Sequence, residues 1–389
     1  MHAPTPARPH VFQAFARLKN PSLRADQEAL LFSLKCLLAA SLGLYVSLRI
    51  GLNRPFWVIG TVYLVSQPLS GATLSRGLFR LLGTVGGAIA TVALVPHFAN
   101  APLVLSAALA TWMALCLYLA MLDRTPRAYA FLLAGYTTSL IGFPAVMVPA
   151  DVFTIAITRV QEIAIGILAA TLVHALVLPR RVSMRVHARV AAVLDDAERW
   201  TRDMCAGASD TVLATDRSKV AADLLELHVL SIHLPFDSAH GVAQVQILRA
   251  LHDRMLDVLM LSSAVEDSLA RLRSSQASAM DSSGWRELMQ TGLAAQQAEL
   301  DLAHADCRVL QAELHTARPD WRRHVPARLA RHAQGAVLHR DHRLALRSAL
   351  GAFVGILLSC VLWIVTGWSD GATAAVSYTH LRAHETPEH

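Results

Sequence analysis

Two ionisable residues of opposite charge lie three positions apart in a long apolar run. Arg159 and Glu162 are the only Asp, Glu, Lys or Arg residues in the run 152–178. Residues three apart share one face of a helix, and a charge inside an apolar helix is costly. A carboxylate that exchanges a proton beside a cation could couple proton entry to the release of a bound molecule. An ion pair that only fixes this helix against a neighbour is the alternative, and the sequence leaves both open.

A second group of polar residues interrupts the apolar sequence near residue 60. Gly60, Thr61, Gln67 and Pro68 combine helix-breaking residues with hydrogen-bonding ones. Membrane segments tolerate this combination where the backbone lines a cavity or is buried in protein. We therefore expect a path for a small molecule here, with Trp57 at the outer membrane interface.

Arg76 and Arg80 form a cationic face between the second and third apolar runs. Their four-residue spacing places them on one side of a helix, with Arg80 expected at the start of the third helix. There they would attract an anion at the inner membrane surface. The usual excess of Lys and Arg on the cytoplasmic side of membrane proteins explains the same residues without a ligand.

These candidates belong to a series of apolar segments. The sequence is 54% hydrophobic and 16% charged, with a mean hydropathy of +0.40, and is more apolar than an average soluble domain. Crossing a bilayer takes roughly 20 apolar residues. Six apolar runs precede residue 179: 29–48, 55–69, 80–96, 101–122, 128–148 and 152–178. A seventh run, 344–366, restarts the pattern of the first. The second is short, so we expect it to be broken or tilted.

The expected fold class is an all-α polytopic membrane protein. Its expected parts are a cytoplasmic N-terminus (1–28), a six-helix transmembrane bundle (29–178), a cytoplasmic helical domain (179–343), the first helix of a second bundle (344–375) and a tail (376–389). The tail resembles a translated adapter sequence from library preparation, so we expect it to be non-native and exclude it from fold arguments.

Apolar residues recur at helical spacing in the charged middle region. We expect four amphipathic helices there, over 182–206, 215–233, 238–275 and 283–316. One cluster of metal-ligand residue types in this region comprises Glu226, His228, His233, Asp237 and His240. Its spacing does not place three ligands on one helical face, so we expect no metal site. Phosphate-binding, dinucleotide and nucleophile motifs do not occur, so no cofactor is expected.

The distribution of positive charge predicts the orientation in the membrane. Four clusters of Lys and Arg fall on the same side of the expected helices: Arg17, Lys19 and Arg24; Arg76 and Arg80; Arg124 and Arg127; and Arg180, Arg181 and Arg185. Only Arg49 and Arg54 fall on the opposite side. This bias predicts that the N-terminus and the charged domain are cytoplasmic. It also accounts for the basic character of the chain, so we expect no nucleic-acid partner.

Several of these segments together resemble the fusaric acid resistance and aromatic acid exporter family. The resemblance rests on Pro55–Val62, Ser66–Pro68, Gly71–Thr73, Arg80–Gly87, Arg159–Gly166 and Pro179. It implies a bacterial inner-membrane efflux protein for aromatic carboxylic acids or similar toxic compounds, driven by the proton gradient. It also implies a periplasmic membrane-fusion partner and two six-helix halves, whereas this sequence shows only the first helix of a second half.

Three functions are compatible with the sequence. The first is export of small organic acids, with Glu162 and Arg159 in proton coupling. The second is a passive channel for organic anions, which needs the arginines but no titrating carboxylate. The third is a membrane-anchored scaffold with a cytoplasmic interaction domain. Formation of a homo-oligomer is left open.

Overall fold

The structure is a computed structural model, and it describes residues 21–123, 125–236, 241–277, 283–332, 340–367 and 371. Predictions for 1–20, Arg124, Asp237, His240 and 376–389 lie outside this range. The described residues form twelve α-helices and three short 3-10 segments, with no β-strand among them. The helices are α1 (Pro21–Arg49), α2 (Phe56–Val65), α3 (Ser70–Phe98), α4 (Pro102–Leu122), α5 (Arg127–Ala145), α6 (Val152–Leu176), α7 (Val182–Cys205), α8 (Asp210–His233), α9 (Gly241–Ala277), α10 (Ser283–Thr316), α11 (Ala327–His332) and α12 (His342–Thr366).

The chain divides into two compact units, with boundaries after Pro179 and before His342. The first, here called the membrane unit, consists of α1–α6 and α12. The second, the helical insert, consists of α7–α11. The four long helices of the insert begin and end within a few residues of the predicted bounds, except that α8 begins at Asp210, one turn early.

Five of the described helices are long and apolar enough to cross a membrane. They comprise Asp26–Arg49, Ser70–Phe98, Pro102–Leu122, Pro149–Leu176 and His342–Thr366. Of the six early runs, the second and the fifth are not among these five helices. Helix α2 has only 10 residues, and α5, with 19, is less apolar because its middle carries buried Thr137, Thr138 and Ser139. The chain is an all-α polytopic membrane protein, as predicted.

Hydrogen bonds from and to side chains stabilise the non-helical segment after α2. Helix α2 ends at Val65, and Pro68, which has no backbone N–H, follows three residues later. The backbone N–H of Gln67 donates to Thr73 Oγ1 at 3.0 Å. The Gln67 side chain donates to Ser66 O at 2.9 Å. The expected interruption of the second run is therefore confirmed.

Helix α3 starts ten residues earlier than expected, at Ser70 rather than near residue 80. The prediction that Arg80 begins this helix is wrong, because Arg76 and Arg80 both lie inside it. Polar residues in its first two turns conceal the helix from a search for apolar runs. At about 1.5 Å per residue, Arg80 lies about 15 Å from the first residue of α3.

Glycines allow helices of the membrane unit to pack backbone to backbone. A Cβ atom at Gly83 or Gly87 would lie 2.5 Å from Ala130 O or 2.6 Å from Ala134 O, so α3 and α5 touch directly. Small residues at helix contacts are typical of membrane bundles, where close backbone approach replaces hydrophobic driving force.

Two apolar clusters form the core of the membrane unit. The first joins α1, α2 and α6 through residues such as Ala39, Val62 and Ile167. The second joins α3–α6 with α12, whose Ala352 and Ile356 are buried in it. Many leucines on the opposite face of α1 are exposed, as expected for helices that face lipid.

The helical insert has its own core and a buried ionic centre. Trp200 and Trp321 are fully buried in it. Asp306 on α10 is 2% exposed and accepts hydrogen bonds from Arg254 on α9 and Arg328 on α11. Among the described residues, no three His, Cys, Asp or Glu side chains are grouped as metal ligands.

Candidate functional site

Arg159 and Glu162 are buried together on α6. Their side chains are 5% and 1% exposed, and Arg159 Nη1 lies 3.9 Å from Glu162 Oε2. This distance gives a charge interaction but no hydrogen bond. The predicted ion pair is therefore present in the structure, and its looseness leaves the guanidinium N–H groups available to another acceptor.

The Arg159 guanidinium also stacks on an aromatic ring. Its central carbon lies 3.8 Å from the ring centroid of Trp57, at the start of α2. This is the geometry of a cation–π contact. Trp57 is half-buried, so the structure brings together a predicted residue of the small-molecule path and the predicted proton-coupling pair.

Glu162 is positioned from outside its own helix. The backbone N–H of Arg54, in the turn between α1 and α2, donates to Glu162 Oε1 at 3.0 Å. Sequence analysis missed this contact, because a backbone donor 108 positions away leaves no local signal. Through it, the turn before α2 fixes one oxygen of the carboxylate while the other faces Arg159.

Several buried donors around this pair have no hydrogen-bond partner among the described residues. They are Arg159 Nε and Nη1, Trp57 Nε1 and Thr61 Oγ1. Buried polar groups without partners are uncommon and call for an explanation. Because three of these four atoms can only donate hydrogen bonds, the arrangement suits an anionic or hydrogen-bond-accepting ligand.

Gly166 shapes the contact between α2 and α6, whereas Gly60 does not take part in it. A Cβ atom at Gly166 would lie 2.8 Å from Val58 O and 2.8 Å from Thr61 Cβ, so only glycine lets the helices approach this closely. A Cβ atom at Gly60 would have no neighbour within 4 Å. Gly60, a predicted residue of the path, therefore faces open space beside the tightly packed face of α2.

Arg80 lies in a second polar group, between α3 and α5. It is 5% exposed, and its Nη1 donates to Tyr129 Oη at 3.2 Å, while its Nε has no partner. Arg76, one turn earlier, lies with its guanidinium carbon 5.9 Å from the Tyr129 ring centroid. Both predicted arginines thus meet the same tyrosine, which sequence analysis did not single out.

Tyr136 lies near both groups. It is on α5, two turns after Tyr129, and within the electrostatic range of Arg80 and Arg159. The arginines also influence each other. A tyrosine is unremarkable in an apolar run, so only the helix packing could have revealed it.

Gln67 and Pro68 do not join these groups. Both lie beyond the end of α2 opposite to Trp57, with Gln67 half-buried and Pro68 exposed. The hydrogen bonds of Gln67 are made locally, with Ser66 and Thr73. The structure therefore gives these two residues a part in the helix break.

Comparison with known proteins relates nearly the whole chain to one family. The description "Fusaric acid resistance protein family" belongs to the family model that matches residues 29–282 and 270–380. The chain is 27% identical over 401 residues to an uncharacterized transporter, YdhK, of Escherichia coli O157:H7, an alignment covering 92% of this chain and 57% of the relative.

Two relatives carry a more specific name, p-hydroxybenzoic acid efflux pump subunit AaeB. The protein from Pectobacterium atrosepticum is 25% identical over 389 residues, covering 89% of this chain and 56% of the relative. The one from Edwardsiella ictaluri is 28% identical over 237 residues, covering 59% and 37%. The chain spans only about half the length of YdhK and of the Pectobacterium atrosepticum protein.

Proposed function

Because this chain belongs to the fusaric acid resistance protein family, we propose that it is an efflux transporter for aromatic carboxylic acids or related toxic organic compounds. The observation that carries the proposal is the buried group of Trp57, Arg159 and Glu162, with its unpartnered donors. The efflux-pump names of two relatives support the same class of substrate.

The chemistry of the group suits an aromatic acid. A guanidinium binds a carboxylate through charge-assisted hydrogen bonds, which are about twice as strong as neutral ones. The indole of Trp57 offers a face for an aromatic ring and an N–H donor at its edge. The two groups are in contact at the start of α2.

Glu162 is the proposed proton-coupling residue, and Arg159 is its partner. Gaining a proton changes the charge of the group by one unit, which alters how strongly the neighbouring guanidinium attracts an anion. Occupancy by a proton and occupancy by substrate are thereby linked. Arg54, whose N–H holds one carboxylate oxygen, keeps Glu162 in place through the exchange.

We further propose that the protein resides in a bacterial inner membrane, with its N-terminus and helical insert on the cytoplasmic side and residues 376–389 non-native. The positions of Lys and Arg in the sequence support this orientation. A periplasmic membrane-fusion protein is the proposed partner for export in Gram-negative cells.

A passive organic-anion channel is the second candidate, favoured by Arg76 and Arg80. Replacing Glu162 with Gln separates the two functions, because the amide oxygen still accepts the Arg54 N–H while the proton site is lost. In cells expressing the source gene, an exporter bearing E162Q should lose the dependence of p-hydroxybenzoate efflux on the pH gradient. A channel should conduct as before.

Asp151→Asn provides the matched control, because this exposed carboxylate precedes α6 and makes no capping hydrogen bond. It should leave efflux unchanged. Deleting the gene should raise accumulation of aromatic acids. If deletion changes neither accumulation nor resistance, export is refuted and the scaffold alternative gains support.

A further inference from the structure

Arg80 is a buried cation without a carboxylate partner among the described residues. Its hydrogen-bond partner there is the neutral hydroxyl of Tyr129. By contrast, Arg159 lies near Glu162, and Arg254 bonds Asp257 and Asp306. Of the two fully buried arginines in the described part of the chain, Arg80 is the one without a carboxylate.

An interfacial position does not explain this arginine. Arg80 is the eleventh residue of α3 and is 5% exposed, so its guanidinium does not extend into a headgroup layer as a snorkelling side chain would. A buried charge without a counter-charge is strongly unfavourable. Its presence is accounted for if an anion occupies the site during function.

The donors around Arg80 define the ligand. The Nε–H of Arg80 has no acceptor in the described part of the chain. Tyr129 Oη already accepts from Arg80 Nη1, so its O–H is directed elsewhere and can donate to a ligand. These two neighbouring donors match the two oxygens of one carboxylate.

Aromatic rings and a second cation complete the site. Tyr129 and Tyr136 lie two turns apart on α5, and Tyr136 is near both Arg80 and Arg159. Arg76 lies over the Tyr129 ring. Among the described residues, Arg159 pairs with Glu162, whereas Arg76 and Arg80 contact Tyr129 and no carboxylate.

We propose that Arg80 and Tyr129 form a carboxylate-binding subsite for an organic acid, separate from the Glu162–Arg159 pair. It rests on the proposed function in that the carboxylate is taken to belong to the transported molecule. An anionic lipid headgroup shares the charge, and the test distinguishes it.

The test is equilibrium binding of benzoate to the purified protein in a neutral detergent without anionic lipid. Benzoate should bind saturably, and benzamide, which has the same shape without the charge, should not. Arg80→Gln should weaken benzoate binding at least about tenfold, as expected for loss of a charged hydrogen bond. Tyr129→Phe should weaken it by a smaller factor.

Arg127→Gln is the control, because Arg127 is exposed at the start of the same helix as Tyr129. This variant should bind benzoate with the same affinity as the wild type. Arg80→Lys is a second variant in case Arg80→Gln misfolds, because it keeps the buried positive charge. It lacks the Nε donor, so it should bind benzoate more weakly than the wild type does. Unchanged affinity in both Arg80 variants overturns the subsite. If the protein binds phosphatidylglycerol but not benzoate, the subsite is overturned in favour of a lipid site.

Failure of this subsite and failure of the export proposal give different results. If Arg80→Gln binds benzoate normally while gene deletion abolishes efflux, only the subsite is lost. If benzoate binding depends on Arg80 but deletion leaves accumulation unchanged, the subsite stands and export is refuted.

Discussion

Replacing Gly166 with alanine tests whether contact between α2 and α6 maintains the site. A Cβ atom there would lie 2.8 Å from both Val58 O and Thr61 Cβ. Reaching an ordinary separation of about 3.4 Å requires the helices to part by about 0.6 Å, and overpacking of this kind costs about 1–3 kcal/mol. Helix propensity offsets part of this cost, because alanine is better than glycine by about 1 kcal/mol in a helix interior.

Gly60→Ala is the matched comparison for stability. It makes the same chemical change inside the neighbouring helix, where a Cβ atom meets nothing within 4 Å. It should therefore gain up to about 1 kcal/mol from helix propensity alone. The two variants should differ by about 1–3 kcal/mol, with Gly166→Ala the less stable.

Thermal unfolding of the purified protein in one detergent, followed by circular dichroism, measures the difference between the variants. Gly166→Ala should unfold several degrees below Gly60→Ala. If both variants unfold at the same temperature, the close approach of α2 to α6 does not contribute to stability. The packing basis proposed for the Trp57–Arg159 contact would then be refuted.

Two further predictions concern the helical insert. Asp306→Asn removes the carboxylate shared by Arg254 and Arg328 and should destabilise the protein by about 3–5 kcal/mol in chemical denaturation. Asp257→Asn changes a side chain that is 40% exposed and should cost less than about 1 kcal/mol. Equal losses of stability in the two variants would contradict the importance of the buried network. Burial, and secondarily His228, lowers the pKa of His252 to about 4. Since the unfolded state then binds more protons, stability should fall as pH drops from about 6.5 towards 4, with about 2 kcal/mol lost between about pH 7 and pH 5. His252→Leu should lose correspondingly less over that interval, and an identical pH dependence would show that His252 does not titrate as expected.

The parts of the site that lie on one helix could be predicted from the sequence. Arg159 and Glu162 are three residues apart, and helical geometry alone places them together. The four long helices of the insert follow from apolar spacing in the same way. Local periodicity was sufficient in both cases, because it needs no knowledge of which helices pack together.

Contacts between distant segments could not be predicted. The Arg54 N–H reaches Glu162 across 108 positions, and Tyr129 meets Arg80 across 49. Neither tyrosine on α5 is unusual in composition or spacing. The start of α3 was misplaced for a different reason: its first turns are polar yet buried, with Thr73 and Ser75 inside the protein, so an apolar-run criterion excludes residues that tertiary packing accommodates.

The glycine contacts between α3 and α5 limit which helices can move during transport. Backbone atoms touch at Gly83 and Gly87, so these helices cannot slide past each other without collision, and Arg80 should stay at a fixed distance from Tyr129. At Gly77, in contrast, α3 meets α6 through the Cγ2 methyl group of Ile167 and not through backbone atoms. A change in the separation of Arg80 and Arg159 would therefore be a movement of α6 against a rigid α3–α5 pair.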